Sequence, residues 1–314
     1  MELRQLGSSD LKVSVIGLGC NNFGGRIDLE ATRKVIDATL AAGVNHLDTA
    51  DIYGGGGKSE DLIGQCLGAR RKDVVLATKF GKPMPDHPAE RRGTRDYVLS
   101  AVEASLRRLR TDWIDLLYMH EPDPGTPFEE TLRAIEELRT AGKVRYFAGS
   151  NFSAGEIGDT VTTAKRLGLA GFVATQDEYS LLERGIEDVL LPVLETHRLG
   201  LVPYFPLASG ALSGKYRKGQ PMPEGARLTG SAKYADRYFS GPAADRVEAL
   251  IGFAESRGHT LLELALSWLA ARPTVASIIT GATKPEQIAA NVKAVDWTLS
   301  AEEMAEVDRI TRPA

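Results

Sequence analysis

Four side chains that could carry out proton transfer lie where short apolar runs of the sequence end. Asp48 ends the run VNHLD, and Tyr53 follows it in the next loop. Lys79 ends the run DVVLATK, and His120 ends WIDLLYMH. A tyrosine hydroxyl has an ordinary pKa near 10, so it is a weak acid at neutral pH unless a neighbouring charge lowers that pKa.

Lysine is the residue type that could activate the tyrosine. At an effective dielectric constant near 20, a lysine cation about 4 Å from a phenolate interacts with it by roughly 4 kcal/mol, which lowers the pKa by about 3 at most. A lysine buried at a strand end in turn needs a carboxylate partner, which Asp48 can supply. With His120 donating to the substrate oxygen or orienting it, the set predicts a site at which Tyr53 protonates an oxygen.

Each of these residues also has a structural interpretation. Lys79 could be a solvated strand end, His120 a hydrogen-bonded structural histidine, and Asp48 a cap for the turn that follows it. The glycine-rich stretch DIYGGGGKSE, residues 51–60, could also be taken for a phosphate-binding P-loop. That motif requires a glycine where Ile52 stands, so the stretch is interpreted as a flexible loop that carries Tyr53.

The elements that must position these residues are short strands alternating with amphipathic helices. Eight apolar runs are typical of buried parallel strands: VSVIGLG, VNHLD, DVVLATK, WIDLLYMH, VRYFAGSN, GFVATQ, LGLVPYF and ASIITGA. Between them, Ser153 with Glu156 and Thr283 with Glu286 form predicted capping boxes. The alternation predicts an α/β fold, a (β/α)8 TIM barrel as a single domain over residues 1–314, with a short N-terminal β-hairpin in residues 3–12.

Other classes of protein are disfavoured by motif and by composition. The segment GLGCNN, residues 17–22, lacks the third glycine of a Rossmann dinucleotide fingerprint. A net charge of −4, from 38 basic and 42 acidic residues, does not favour nucleic acid or an anionic membrane as a partner. The two cysteines do not have the spacing of metal ligands, so we expect no bound metal. Neither a signal peptide nor an apolar run of about 18 residues is present, so we expect a cytoplasmic protein.

Polar residues also end the remaining predicted strands, and barrel active sites lie at the carboxyl ends of strands. Ser150 and Asn151 end the fifth run, and Gln176 ends the sixth. Ser150 and Asn151 could instead simply start the loop before the next helix, and Gln176 could bond only backbone amides. The seventh run contains Tyr204, and the eighth leads into Gly281 and Thr283. A ring of polar groups at one face predicts a functional site there.

Longer stretches resemble the aldo-keto reductases along the whole chain. The most specific are VNHLDTADIYGGG, VVLATKFG, IDLLYMHEPD, GSNFS, ATQDEYSLLER, LVPYFPLASGALSGKY and IITGATKPEQIAAN. The sequence is most similar to bacterial members related to the potassium-channel β-subunit branch. The resemblance implies NADPH-dependent reversible reduction of small aldehydes or ketones, with Tyr53 as proton donor, Asp48 and Lys79 tuning it, and His120 completing the catalytic set.

The resemblance also implies how NADP(H) would bind in an extended pose across the barrel mouth. The residues implied for the carboxamide are Ser150, Asn151 and Gln176, with Tyr204 stacking on the nicotinamide ring. Those implied for the pyrophosphate are Pro206, Leu207, Ser209, Gly210 and Lys215. Those implied for the adenosine end are Gly281, Thr283, Gln287 and Asn291, joined by Arg227.

The sequence departs from the family pattern at two places. Many relatives have an arginine where Gln287 stands, which pairs with the 2′-phosphate; Lys284 is the candidate substitute, so NADP(H) is favoured and NAD(H) stays possible. Asn21 and Asn22 stand where many relatives have other residues, and they are expected to line the substrate pocket and to favour a polar substrate. Shaping the loop is their structural alternative.

Two rival functions and one open feature accompany this prediction. One rival is an NADP(H)-binding, redox-sensing regulatory subunit with little turnover, against which the complete catalytic set argues. The other is an isomerase or aldolase with Lys79 as Schiff base, which explains neither Tyr53 nor Tyr204. Residues 213–241 form either a lid over the site or a surface excursion. The oligomeric state is left open.

Overall fold

An N-terminal hairpin closes the base of the molecule, which the computed structural model describes over residues 1–84 and 91–312. Strand β1 (Leu3–Gln5) pairs antiparallel with β2 (Lys12–Ser14), which confirms the predicted hairpin. Its second strand, however, takes Val13 and Ser14 from the run VSVIGLG. The run is divided between two strands because Val13 is buried with Leu6 and Leu11 against the inward side chains of the barrel.

The barrel sheet contains eight parallel strands within the described residues, as predicted. In chain order they are β3 (Ile16–Gly19), β4 (His46–Asp48), β5 (Val75–Phe80), β6 (Ile114–Met119), β7 (Val144–Ser150), β8 (Phe172–Gln176), β9 (Gly200–Leu201) and β10 (Ile278–Gly281). β10 pairs with β3. The ring closes where the Leu201 N–H donates to the Thr274 carbonyl (2.8 Å) and the Ile279 N–H donates to the Pro203 carbonyl (3.0 Å).

Helices cover the outside of this ring. They are α1 (Leu29–Ala41), α2 (Lys58–Leu67), α3 (Arg95–Leu109), α4 (Phe128–Thr140), α5 (Ala154–Leu167), α6 (Leu191–His197), α7 (Ala232–Phe239), α8 (Gly241–Glu255), α9 (Leu261–Ala270), α10 (Pro285–Lys293) and α11 (Ala301–Thr311). Their apolar faces bury the outer face of the sheet, whereas a separate cluster fills its interior. In the described part of the chain, no helix is both long enough and apolar enough to cross a membrane.

Two predicted helix caps have different outcomes. The capping box of Ser153 with Glu156 is present at the start of α5. The box of Thr283 with Glu286 is wrong, because a proline at the first helical position starts α10 at Pro285 and makes Gln287 the third residue. The Gln287 side-chain oxygen accepts from the backbone N–H groups of Thr283 (2.7 Å) and Lys284 (3.2 Å).

The segment 213–241, which lacks clear periodicity, contains the helix α7. Its Arg237 guanidinium pairs with Glu178 and Glu183, each at 3.0 Å. The Tyr216 hydroxyl accepts a hydrogen bond from the Leu228 backbone N–H at 3.1 Å. The Arg237 contacts attach the second half of the segment to the body of the protein, whereas the Tyr216 bond joins two parts of the segment itself.

Two glycines test how closely the outer helices pack. A β-carbon at Gly64 in α2 would lie 2.4 Å from the Arg108 carbonyl oxygen and 2.8 Å from the Leu109 carbonyl carbon in α3. Gly64→Ala should therefore destabilise the protein by roughly 1–3 kcal/mol, since two backbones must separate. Urea unfolding followed by circular dichroism measures this change.

Gly158→Ala in α5 is the matched control. A β-carbon there would have no neighbour within 4 Å, so the variant should gain up to about 1 kcal/mol from helix propensity. Equal effects of the two substitutions would contradict the close approach of α2 and α3.

Candidate active site

A buried ion pair lies at the carboxyl ends of two neighbouring barrel strands. The Lys79 ammonium donates to Asp48 Oδ2 at 2.6 Å and to the Thr49 carbonyl at 2.8 Å. The Gln176 amide donates to Asp48 Oδ1 at 2.9 Å. Lys79 is fully buried and Asp48 nearly so. Because β4 and β5 run parallel, with Asp48 opposite Ala77, Lys79 lies one inward position further along, and the expected pairing is present.

Tyr53 lies above this pair in the loop after β4. The Lys79 nitrogen is 5.1 Å from the centroid of the Tyr53 ring. The Tyr53 N–H donates to the Ala50 carbonyl (3.1 Å), and its carbonyl accepts from Ser59 N–H (3.2 Å). Residues 54–57 all have positive φ, which glycine adopts without strain, and the described residues lining the cavity do not include them. The glycines shape the loop that holds Tyr53.

The pKa of Tyr53 departs from the sequence-based expectation. Burial raises it above the ordinary value, and this effect outweighs the lowering by the Lys79 charge and hydrogen bond; the Asp48 carboxylate raises it further. The predicted net lowering is therefore wrong for the protein without substrate, because it omitted desolvation and the charge of Asp48. Tyr53 stays protonated, and Lys79 can stabilise the phenolate once a proton leaves.

His120 is neutral beside Tyr53. Burial, with the nearby charges of Lys79 and Lys82, lowers its pKa to about 2. Its ring meets the Tyr53 ring edge-on, with centroids 5.8 Å apart, and its Nδ1 has no hydrogen-bond partner. A neutral imidazole can donate one hydrogen bond without adding a charge.

A cavity of about 680 Å³ opens over these residues, within the usual size range of ligand sites. The described residues on its wall include the following predicted ones: Asp48, Tyr53, His120, Asn21, Asn22, Ser150, Asn151, Gln176, Tyr204, Pro206, Leu207, Ser209, Gly210, Lys215, Arg227, Gly281, Thr283, Gln287 and Asn291. Lys79 is not among the described lining residues, and it lies next to Tyr53, which does line the cavity. Lys284 is exposed and is not among the described lining residues.

Hydrogen bonds link the predicted carboxamide residues to one another. The Ser150 hydroxyl donates to the Gln176 carbonyl at 2.8 Å. Asn151, at φ 62°, donates to the His120 carbonyl (2.9 Å) and accepts from the Tyr204 hydroxyl (2.8 Å). The Gln176 side chain donates to the Asp48 carboxylate, so the alternative that it bonds only backbone amides is wrong. The group therefore ties the ion pair to the cavity wall.

Beyond Tyr204 the backbone is strained and the side chains are cationic. Ala208 (φ 46°) and Ser209 (φ 56°) are adjacent non-glycine residues in the left-handed region, a strained conformation that clusters at functional sites. The buried Ser209 hydroxyl has no hydrogen-bond partner. Burial lowers the pKa of Lys215 and of Arg227, and the charge of Arg26 lowers both further. Three cations thus lie close together on the cavity wall.

Sequence reasoning missed two of the cations that line the cavity. Arg26 lies in the loop after β3, and Lys82 lies beyond the end of β5. Neither residue stands at the end of an apolar run, so a polar strand end does not mark either of them. A basic residue in the loop that follows a predicted strand is the sequence signal that both share.

A second buried acidic group lies beneath the Tyr53 loop. Glu60 accepts from the Thr78 hydroxyl (2.5 Å) and from Arg108 Nε (2.6 Å). The Asp51 side chain is 2% exposed, and its Oδ1 has no hydrogen-bond partner. Burial, followed by the charge of Glu60, raises the pKa of Asp51 to about 8.

Comparison with known proteins extends over nearly the whole chain. The model of the aldo/keto reductase family matches residues 15–312. Proteins named probable voltage-gated potassium channel subunit beta, from Arabidopsis thaliana and Oryza sativa subsp. japonica, are each 38% identical over 94% of this chain and 92% of their own length. The uncharacterized oxidoreductase YrpG of Bacillus subtilis (strain 168) is 35% identical over 96% of this chain and 93% of its own. The resemblance inferred from the motifs is confirmed.

The titration of Asp51 should be visible in protein stability. Because its folded pKa of about 8 exceeds the ordinary 3.8, the folded protein keeps a proton that the unfolded chain loses. This contribution to stability is fully present below about pH 4 and is lost as the pH rises towards 8. Asp51→Asn cannot ionise, so its stability relative to wild type should increase between pH 5 and pH 8 by on the order of 3 kcal/mol. Urea unfolding at both pH values tests this.

Asp159→Asn, at an exposed position of α5, is the control and should show no such change. Parallel stability profiles for wild type and Asp51→Asn would mean that Asp51 is ionised in the folded protein throughout this range.

Proposed function

Since the chain belongs to the aldo/keto reductase family, whose members are oxidoreductases acting on carbonyl groups, we propose that it reduces small aldehydes or ketones with NADPH. The reaction would be reversible and would run as alcohol oxidation in the other direction. One observation carries the proposal: a protonated Tyr53 faces the cavity directly above the buried pair of Lys79 and Asp48.

Each polar residue has a distinct task in this reaction. Tyr53 donates its proton to the carbonyl oxygen as negative charge develops there. Lys79, already desolvated and held by Asp48, stabilises the resulting phenolate without reorganisation. The neutral His120 donates a hydrogen bond to the same oxygen. When bound, the reduced nicotinamide supplies the hydride for the carbonyl carbon.

The cavity wall fits a phosphate-bearing dinucleotide. Ser209 offers a buried hydroxyl without a partner, and Arg26, Lys215 and Arg227 have neither an ion pair nor a side-chain hydrogen bond within the described residues. Such cations match the charges of a pyrophosphate and a 2′-phosphate. Ser150, Asn151 and Gln176 would hold the carboxamide, Tyr204 would stack on the ring, and Gly281, Thr283, Gln287 and Asn291 would hold the adenosine end.

The preference for NADP(H) over NAD(H) is attributed to a cation at the 2′-phosphate. Lys284 is exposed outside the described lining. Arg227 lines the cavity with its guanidinium 5.4 Å from the Phe205 ring centroid and 6.0 Å from that of Tyr234. Because aromatic rings and not carboxylates surround it, its charge is free for a ligand. We therefore favour Arg227 over Lys284 for this contact.

A redox-sensing regulatory subunit is the second candidate, since two relatives carry names of potassium channel subunits. The assembled proton-donating set argues for turnover. A Schiff-base enzyme is disfavoured, because the Asp48 carboxylate holds the Lys79 ammonium and helps to raise its pKa. A Schiff-base lysine must be neutral to attack a carbonyl.

Titration of the protein with NADPH and NADH by fluorescence, followed by a panel of carbonyl compounds, tests the proposal. We expect NADPH binding with turnover, and Tyr53→Phe should lower kcat by about 10²–10⁴-fold, because the acid is removed. Its NADPH affinity should be nearly unchanged. Tyr146→Phe removes a hydroxyl that bonds Asp10 beside the hairpin and is the control for loss of a tyrosine oxygen.

Binding without turnover on any carbonyl would favour the regulatory candidate. Failure to bind either nucleotide would contradict both. Unimpaired turnover by Tyr53→Phe would remove Tyr53 from the role of acid.

The cofactor preference gives a separate prediction. Arg227→Gln should weaken NADPH binding by about tenfold or more, as expected for loss of a charged hydrogen bond, and should affect NADH less. Lys284→Ala should change both affinities little. A larger and NADPH-specific effect of Lys284→Ala in fluorescence titrations would instead assign the 2′-phosphate to Lys284.

A further inference from the structure

Lys82 is a cation at the reacting end of the cavity that the mechanism does not use. It lies three positions after Lys79, beyond the end of β5, and lines the cavity that also contains Tyr53 and His120. The turn before it is held in place, because Arg92 Nε donates to the Gly81 carbonyl at 2.7 Å. The Lys82 side chain is half-buried.

The part of the chain that the structure describes does not neutralise the charge of Lys82. Within residues 1–84 and 91–312 its ammonium has no ion pair and no hydrogen bond. Asp48 is the sole carboxylate among the described lining residues, and Lys79 and Gln176 already occupy its oxygens. Lysines on the outer surface, such as Lys34 and Lys58, have carboxylate partners at 2.7 and 2.8 Å.

The cations of the cavity fall into two groups. Arg26, Lys215 and Arg227 lie near one another, since the charge of Arg26 acts on both of the others. Lys82 instead lies near His120, on which its charge acts. Three cations are thus available to the phosphates of a dinucleotide, and one remains beside the carbonyl to be reduced.

We propose that the substrate carries an anionic group, a carboxylate or a phosphate, within a few bonds of its carbonyl, and that Lys82 binds this group. The proposal rests on the proposed reductase function and names its substrate class. Asn21 and Asn22 on the same wall provide further polar contacts for such a compound. A neutral, apolar aldehyde would leave the Lys82 ammonium partly desolvated and unpaired.

Lys82→Gln tests the proposal by removing the charge while keeping a polar side chain. The control is Lys72→Gln, an exposed lysine before the opposite end of the same strand. Steady-state kinetics would compare succinic semialdehyde with butanal, and glyceraldehyde 3-phosphate with glyceraldehyde. A parallel fluorescence titration of the NADPH-loaded protein with oxamate and with inorganic phosphate measures anion binding without turnover.

We expect Lys82→Gln to lower kcat/KM for the anionic member of at least one pair by 10- to 100-fold, mainly through KM, with little change for the neutral member. The pair affected identifies carboxylate or phosphate. Anion binding should weaken in parallel, and Lys72→Gln should resemble wild type.

Equal effects on charged and neutral substrates would overturn the proposal while leaving the reductase function in place. Anion binding that depends on Lys82 without turnover of any carbonyl would support the anion site and contradict the reductase function. Anion binding that ignores Lys82 would overturn the proposal.

Discussion

The ion pair between Lys79 and Asp48 is the constraint on which the rest of the site depends. Both charges are removed from water, and leaving either without its partner would cost about 3–5 kcal/mol. Every bond the pair makes is therefore required: the salt bridge, the Lys79 bond to the Thr49 carbonyl and the Gln176 bond to Asp48. These bonds can form only if the carboxyl ends of β4, β5 and β8 lie at the same level. A parallel barrel places them so.

The two ends of the barrel divide stability from chemistry. At the amino end, Leu6, Leu11 and Val13 of the hairpin fill the base with apolar side chains, and the positive-φ residues Arg110 and Arg198 are the C-caps of α3 and α6. At the carboxyl end, Asn151, Ala208 and Ser209 have positive φ, and buried polar atoms lack partners. The well-packed base compensates for strain and unsatisfied groups at the mouth, where a ligand would complete them.

Prediction from sequence succeeded where the information is local. Apolar runs end at Asp48, Lys79, His120 and Gln176 because most inward-facing strand residues are apolar until the cavity begins, and that change is visible in the chain; His46, whose Nδ1 lies 2.9 Å from the Ser277 hydroxyl, is an exception. The start of α10 was misplaced because Pro285, a local signal, was overlooked. The pKa of Tyr53 and the buried state of Asp51 were not predictable in this way, since both depend on which distant segments remove water from them. Family resemblance supplied the residues proposed to hold the cofactor, which no periodicity indicates.

The electrostatics of the site depend on which groups are charged: Lys79 is paired with Asp48, whereas Tyr53 and His120 are neutral. Burial outweighs the lowering of the Tyr53 pKa by the Lys79 charge, and the Asp48 carboxylate offsets part of that charge, so the pKa of Tyr53 stays above its ordinary value before reaction. In the proposed reaction Lys79 would become effective when the phenolate forms, because that charge would appear in a region already emptied of water and beside a fixed cation. A lysine without its carboxylate would lose its proton on burial and could not serve this purpose. His120 avoids the opposite problem by remaining neutral, since a second buried cation beside Lys79 would be repelled. In the proposed mechanism the pair would therefore favour the charge of the transition state over that of the resting protein, which is the condition for catalysis and not merely for binding.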